Sequence, residues 1–537
     1  MSSATVRVRR PSRGGGGGMN RRMDAAWMNA GDPRSERPNS AGFSLYHGNA
    51  RGRTTRPAFS WPRPHDRGMM WAFGGARDCE AFADAGSTRH TVEEGAMSSQ
   101  GSRLSRRRFL GTSAAAAVGG VSTGLFGARA EAGQRPTPAL PLAELRPGGM
   151  VDEAYWWKVR SQFNIVDGLA FMNNGTQGPM SRVVLEKNEK ILREIAEDPS
   201  DNYRRDDINE ARAKVAPFVG ADPEEIALTR STSEGMNIFA HGLDWRQGDE
   251  ALMNSHEHGG GRGPYLSLME RRGININVID IPAPPESQEQ IVDLYERAIT
   301  SRTRAIMVSH ITYVTGLMTP IKLLSEMAHR HGVLVSVDGA HPLGMLDLDF
   351  HAMGCDHYSG AGQKWLLAGG GTGVCYVKRD VQDQIWPLMG GPPREGATAN
   401  RYESVGQRNV PSLLGMGDAV DLQDTIGKRN IEERDRQLSS RLRAGLEEIP
   451  GVHLWTSTDR GLSAGLTLFS VHDIPMANVV RALFDEFRVH IRTMGTGNLN
   501  GVRASTHFYN MPHEVDRLLE GVRHIAANSG NYMTAAA

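Results

Sequence analysis

Two short runs constrain this chain more than any other feature. Ala305–Ser309 and Val333–Val337 are almost wholly apolar rather than alternating. A strand with one wet face alternates, whereas a continuous apolar run is buried on both faces. Between them, Ile321–His331 reads as a helix, with Pro320 near its start and Gly332 as its stop. Strand, helix and strand in that order form a β-α-β unit, so a parallel sheet with right-handed crossovers is expected. Ile226–Thr229 adds another short apolar strand, followed by Ser231-Thr232-Ser233-Glu234 and a helix. Near the end, Val515, Leu518, Leu519, Val522 and Ile525 form one helical stripe behind Pro512. Gly369–Gly373 looks superficially like a nucleotide loop. It follows no suitable strand and leads into the apolar run Val374–Val377, so it reads as a turn.

The chain has 537 residues, more than one core usually serves, so two domains plus extra segments are expected. Its net charge of +0 hides an asymmetry. Residues 1–130 carry 20 Arg, no Lys and 9 acids, which leaves 41 basic and 52 acidic side chains in 131–537. An acidic body argues against a nucleic-acid surface. Of three cysteines, Cys79 lies in the leader, and Cys355 and Cys375 read as small core residues. Neither a disulfide scaffold nor a metal site is expected from them.

Residues 1–96 are rich in Gly, Arg, Pro and Met and show no sustained apolar period. They read as disordered or not natively translated, with Met97 as the true start. Ser105-Arg106-Arg107-Arg108-Phe109-Leu110-Gly111 resembles a twin-arginine export motif. The apolar stretch Ala114–Phe126 is too short to span a bilayer permanently, and Ala128-Arg129-Ala130 has the form of a cleavage site. The expectation is a signal peptide over 97–130 read by the twin-arginine machinery, a periplasmic or extracytoplasmic destination, and no stable membrane insertion. An ordinary leader or a lone membrane anchor is the alternative.

The chemistry concentrates in two stretches. Val335-Ser336-Val337-Asp338-Gly339-Ala340-His341 puts Asp338 at the carboxyl end of a buried strand, where ligands of parallel sheets bind. A carboxylate there needs a fixed positive charge, and a protonated pyridine ring supplies one. Lys364 follows 26 residues later, after a second short strand. A lysine in a poorly solvated pocket beside a cation has a depressed pKa and acts as nucleophile and base. Either residue alone could equally belong to a surface ion pair.

With Asp338-Gly339-Ala340-His341-Pro342-Leu343-Gly344 and Ser359-Gly360-Ala361-Gly362-Gln363-Lys364-Trp365, the segment from about Phe171 to Ala527 resembles class V aminotransferases of pyridoxal-phosphate (PLP) fold type I. The epimerase branch, typified by isopenicillin N epimerase, fits better than the cysteine desulfurase branch, which typically has Gln where this chain has His341. The resemblance implies that Lys364 carries PLP as a Schiff base and that Asp338 pairs with its ring nitrogen. Thr232 and Ser233 stand where the family binds the phosphate, although an ordinary helix cap looks the same. His258 stands where a ring stacks on the pyridine, with His256 two residues away as the competitor. Tyr313 occupies the loop that reaches the phenolic oxygen, where it either donates a hydrogen bond or packs. Arg503, in Gly501-Val502-Arg503-Ala504-Ser505, matches the grip on a substrate carboxylate, and Arg492 is a second matched arginine.

The departures concern the phosphate cup. Gln363 replaces a usual His, Ser359 is present while Ala361 replaces a phosphate-binding Ser, and Gln407 sits where a Gly-Thr pair usually reaches a neighbouring subunit's phosphate. The loop Thr493–Gly501 has no thiol, so a persulfide-forming desulfurase is not expected. The resemblance implies a large PLP-binding domain over 176–405 with a mainly parallel seven-stranded sheet. It adds a smaller α+β domain over 406–532, an N-terminal segment 131–175 packing on that domain, and a homodimer. The implied activity is that of an enzyme on an amino acid or amine that displaces Lys364, which then removes the α-proton. Transamination, epimerisation and elimination share that step. A carbon–sulfur lyase without a persulfide cysteine is the alternative, and a non-catalytic PLP-fold binding protein is the rival from another class.

Overall fold

A computed structural model describes residues 138–149, 151–390 and 398–533. The proposed disordered leader and export signal lie outside these residues.

The strands, in chain order, are β1 (Ala170–Phe171), β2 (Ile226–Thr229), β3 (Glu250–Asn254), β4 (Asn275–Ile279), β5 (Thr303–Ser309), β6 (Leu334–Gly339), β7 (His357–Ala361) and β8 (Gly373–Val377). They continue with β9 (Val452–Leu454), β10 (Leu466–Val471), β11 (Val489–His490), β12 (Arg492–Thr496) and β13 (Leu499–Ser505). Seven of them form one sheet in the order β2-β8-β7-β6-β5-β3-β4. All run parallel except β8, which is antiparallel to both neighbours. The apolar runs that open the sequence argument are β5 and β6, paired in register from Ala305↔Leu334 to Ser309↔Asp338. The helix Ile321–Arg330 connects them. It starts at Pro320 and stops before Gly332, whose φ of +70° an L side chain rarely adopts.

The continuous apolar strands have helices on both faces. Leu228, Leu252, Ile306, Val308, Val335 and Val337 belong to one large core. The helix Val410–Ile426 adds Leu413, Met416, Ala419 and Val420 to this core, although its sequence position falls after residue 405. A second core lies between the antiparallel sheet β12-β13-β10-β9 and the helices Lys428–Glu447, Met476–Phe487 and Pro512–Ala527. The stripe Val515, Leu518, Leu519, Val522 and Ile525 faces this core. β1 pairs in parallel with β11, so the N-terminal segment is tied to the second core. Cys355 and Cys375 are buried in the large sheet's surroundings and unpaired. Among the described residues, no helix is long and apolar enough to cross a membrane.

Candidate active site

Asp338 lies near the end of β6, at the middle of the large sheet, and Lys364 follows the adjacent strand β7. Both stand at carboxyl ends of parallel strands, where an open α/β sheet leaves a crevice. The crevice is a cavity of about 290 Å³. The large sheet contributes Asp338, Ala340, His341, Ala361, Gln363 and Lys364 to its wall. Ser231, Thr232 and Ser233 come from the start of the helix Thr232–Gly242, and His258 caps the start of the helix Gly259–Arg272. The loop after β5 supplies Tyr313, the hairpin β12–β13 supplies Arg492 and Arg503, and the N-terminal segment supplies Gly175 and Thr176. All the site residues singled out in the sequence line this cavity except Ser359 and Gln407.

Ser359 differs from expectation for a local reason, whereas Gln407, expected at a neighbouring subunit's phosphate, lies outside its own chain's cavity. Ser359 lies behind the wall on β7, where its hydroxyl donates to the Thr232 carbonyl at 3.0 Å. It ties the helix start to the sheet instead of facing the cavity. Gln407 accepts from Asn202 Nδ2 at 2.6 Å and its amide nitrogen lies 3.5 Å from the Tyr203 hydroxyl, on an exposed surface away from the cavity. His256, the competitor of His258, is buried outside the lining, with its main-chain N–H donating to Asn254 Oδ1.

The electrostatics follow from burial. The Lys364 amine is pushed down to about 8 by desolvation, with Asp338 opposing that shift and Arg503 and Arg492 adding to it. Part of the amine is therefore an uncharged nucleophile near neutral pH. Burial raises the Asp338 carboxyl, while the Lys364 charge and the Ala340 N–H, which donates to Oδ1 at 3.1 Å, pull it back. Burial also lowers the Arg503 guanidinium to about 9. Its Nη1 donates to the Tyr313 carbonyl at 2.6 Å, and Nε and Nη2 have no partner within the protein. Arg492 is exposed and donates to Thr176 Oγ1 at 3.1 Å. The His258 ring meets Tyr313 edge-on at 4.9 Å. Its Nδ1 accepts from the Gly260 N–H at 3.0 Å, which places the proton of the neutral ring on Nε2.

Two site features escape the sequence argument. Glu257, beside His258, is fully buried and accepts from the Ser309 N–H at 3.0 Å and the Ser309 hydroxyl at 2.5 Å. Burial raises its carboxyl to about 8. Gly175 passes so close to Arg503 that a Cβ there would lie 2.8 Å from Nη2. The polar run Asn173-Asn174-Gly175-Thr176 directly after the apolar Ala170–Met172 was the available signal.

The buried polar groups without protein partners describe what the cavity can hold. Thr232 Oγ1, at a helix start, is buried without a partner, as are His341 Nε2 and Gln363 Oε1. The helix Thr232–Gly242 presents free N–H groups and the positive end of its dipole, which attract an anion. The Ser231 hydroxyl accepts from the Glu234 N–H at 3.2 Å and so fixes that helix start. A carboxylate at one place, an amine of depressed pKa at another and an anion cradle at a third fit pyridoxal phosphate. Asp338 would face its ring nitrogen, Lys364 its aldehyde carbon, and Ser231–Ser233 its phosphate.

Comparison with known proteins agrees. The family model for aminotransferase class V matches residues 182–518. Isopenicillin N epimerase of Amycolatopsis lactamdurans is 30% identical over 393 residues, covering 69% of this chain and 98% of that protein. A probable cysteine desulfurase of Methanothermobacter thermautotrophicus is 30% identical over 344 residues, 59% of this chain and 84% of that protein. Among solved structures, the cystine C-S lyase C-DES superposes with a TM-score of 0.63 at 27% identity, covering 67% of this chain and 99% of the other. Another structure of C-DES, a mutant, holds glycine covalently linked to its PLP cofactor. The chain therefore belongs to the class V aminotransferase family of fold-type I, PLP-dependent enzymes.

Proposed function

We propose that this chain transforms an α-amino acid by moving its α-proton to and from Lys364, with the substrate carboxylate anchored on Arg503. The observation that carries the reading is Arg503 itself. It is 1% exposed, lines the same cavity as Lys364 and Asp338, and keeps two guanidinium nitrogens, Nε and Nη2, without partners. A buried guanidinium so placed is costly until an anion arrives, and its fork matches a carboxylate bidentately.

PLP, when bound, supplies an electron sink for the carbanion left by the departing α-proton. The chain's own groups do the rest. Arg503 orients the carboxylate and so points the α-carbon. Lys364, with its amine near 8, exchanges a proton with that carbon close to neutral pH. Asp338 supplies the negative charge that keeps a pyridine nitrogen protonated. His258 offers a ring face and an Nε2–H on the cavity wall. Partial burial of Lys364 lowers its amine pKa, which leaves part of it uncharged and able to take a proton near neutral pH.

Epimerisation is the reaction we favour, on the 30% identity to the epimerase relative over 393 residues and on the string Asp338–Gly344, which resembles the epimerase branch. Carbon–sulfur bond cleavage is the second reading, supported by the likeness to C-DES. Among the described residues both cysteines are buried away from the cavity, so that reaction would proceed without a protein persulfide. The deciding experiment mixes the PLP-loaded protein with a panel of amino acids and follows the cofactor spectrum and products together. Loss of optical activity supports epimerisation. Keto-acid formation with an aminated cofactor indicates transamination, and pyruvate with released thiol indicates elimination. No spectral response to any α-amino acid contradicts the proposal.

We also propose export through the twin-arginine machinery and assembly as a homodimer. The first rests on Ser105–Gly111 and Ala128–Ala130, the second on family resemblance and on the exposed position of Gln407. Cell fractionation with Arg106→Lys plus Arg107→Lys tests export, and retention of the exported form in that variant contradicts it. Sedimentation of the mature protein tests the dimer, and a monomer at micromolar concentration contradicts it.

A further inference from the structure

Behind the cavity wall runs a chain of hydrogen bonds that the chemistry above does not use. His507 is completely buried between two acceptors. Asp435 Oδ2 lies 2.8 Å from its Nδ1, and the main-chain carbonyl of Trp365 lies 2.8 Å from its Nε2. A carbonyl only accepts, so Nε2 carries a proton, and Nδ1 and the Asp435 carboxyl share another between them. The same Trp365 carbonyl accepts from Gln423 Nε2 at 2.7 Å. The residue held in this double grip directly follows Lys364.

Trp365 passes the constraint onward. Its indole N–H donates to His341 Nδ1 at 3.2 Å. An indole nitrogen can only donate, so His341 Nδ1 must accept. Burial holds the His341 ring neutral, and its one ring proton then sits on Nε2. That nitrogen is buried and has no partner within the protein, and His341 lines the cavity. A buried N–H without an acceptor is costly, so the chain holds a donor ready for a ligand atom.

We propose that Asp435, His507 and Trp365 form a positioning chain that holds His341 as an Nε2–H donor toward an anionic oxygen of the cofactor. The proposal requires PLP in the cavity but is independent of which reaction follows. Asp435 and His507 stand 72 positions apart in the chain and belong to the part of the molecule that carries Arg503. The chain thus links the substrate-gripping segment β13 and its following turn to the cofactor wall.

The test is nitrogen-15 NMR of histidine-labelled protein, with and without PLP, in which His341 is assigned by its disappearance in His341→Gln. The expected result is the Nε2–H tautomer in both forms. Trp365→Phe removes the indole N–H and is expected to populate the Nδ1–H tautomer. It is also expected to raise the midpoint of the visible-band pH titration of the bound cofactor by about one pH unit, because a donor to its anionic form is lost. His507→Leu is expected to do the same, whereas His507→Gln, whose amide still donates to the Trp365 carbonyl, keeps the wild-type tautomer. A wild-type His341 protonated on Nδ1 overturns the proposal, and this result needs no variant beyond the His341→Gln used for assignment. An unchanged tautomer and band midpoint in Trp365→Phe also overturns it. The spectrum of the PLP-free protein reads the tautomer even if no amino acid reacts, which separates this proposal from the one on function.

Discussion

Arg503 donates to the main-chain carbonyl of Tyr313 at 2.6 Å, across 190 positions of sequence, and so fixes one guanidinium nitrogen while Nε and Nη2 stay buried without a protein partner beside the cavity. The contact joins the hairpin β12–β13 to the loop after β5. It makes the guanidinium a rigid fork rather than a mobile charge.

Removing that fork has opposite effects on binding and on stability. Arg503→Met is expected to abolish the spectral response to amino acids. In the absence of ligand it should stabilise the fold by about 1–3 kcal/mol, because a buried and half-unpartnered cation is gone. Arg503→Lys keeps a charge but loses the bidentate geometry, and kcat/KM should fall about 10- to 100-fold. Urea unfolding of the PLP-free protein and steady-state kinetics check both statements. A destabilised Arg503→Met apoprotein would count against the orphaned-fork account.

Gly175→Ala tests the same geometry from the other side. The new Cβ would stand 2.8 Å from Arg503 Nη2 and 2.9 Å from Ser505 Oγ. Moving the fork by a fraction of an ångström should lower kcat/KM by about 10- to 100-fold, with KM taking most of the change. PLP loading, measured by visible absorbance, should stay near wild type.

Loading of PLP onto the apoprotein should itself report the Lys364 amine. Its pKa is depressed to about 8, so the loading rate should rise as pH increases and level off above about 8, far below the range of a free lysine. A rate still climbing steeply past that point would contradict a desolvated amine. Lys364→Ala should bind PLP weakly and reversibly, without the visible band of a lysine-linked cofactor.

Glu257 gives a stability prediction with a definite sign. Its folded carboxyl is raised to about 8 by burial, above its unfolded value. The folded state therefore binds the proton more tightly, and stability falls as pH rises through about 8. Glu257→Gln removes this contribution and should lessen the decline over the same interval, which urea unfolding at several pH values checks. Glu257→Ala should cost about 2–4 kcal/mol at neutral pH, since the Ser309 N–H and Asn254 amide lose their acceptor in a buried site.

Asp338 and Lys364 were legible because their signals are local. A continuous apolar run names a buried strand, and its carboxyl end names the crevice. The β5–helix–β6 unit was legible for the same reason. Ser359 was misplaced because strand alternation decides which face a hydroxyl takes, and a short buried strand shows no alternation to read. The packing of Val410–Ile426 on the large core and the Asp435–His507–Trp365 chain join residues far apart in sequence, and no periodicity records such contacts. Gly175 was missed because its constraint comes from Arg503, more than 300 positions away; the polar run Asn173–Thr176 after an apolar strand marks a functional turn but not the need for a glycine in it.

The most direct measurement treats the PLP-loaded protein with borohydride, digests it, and locates the fixed coenzyme by mass spectrometry. The account predicts a pyridoxyl group on Lys364, with little at any other lysine, and a visible band that Asp338→Ala weakens or shifts. Coenzyme fixed to a different lysine, or to none, would contradict it.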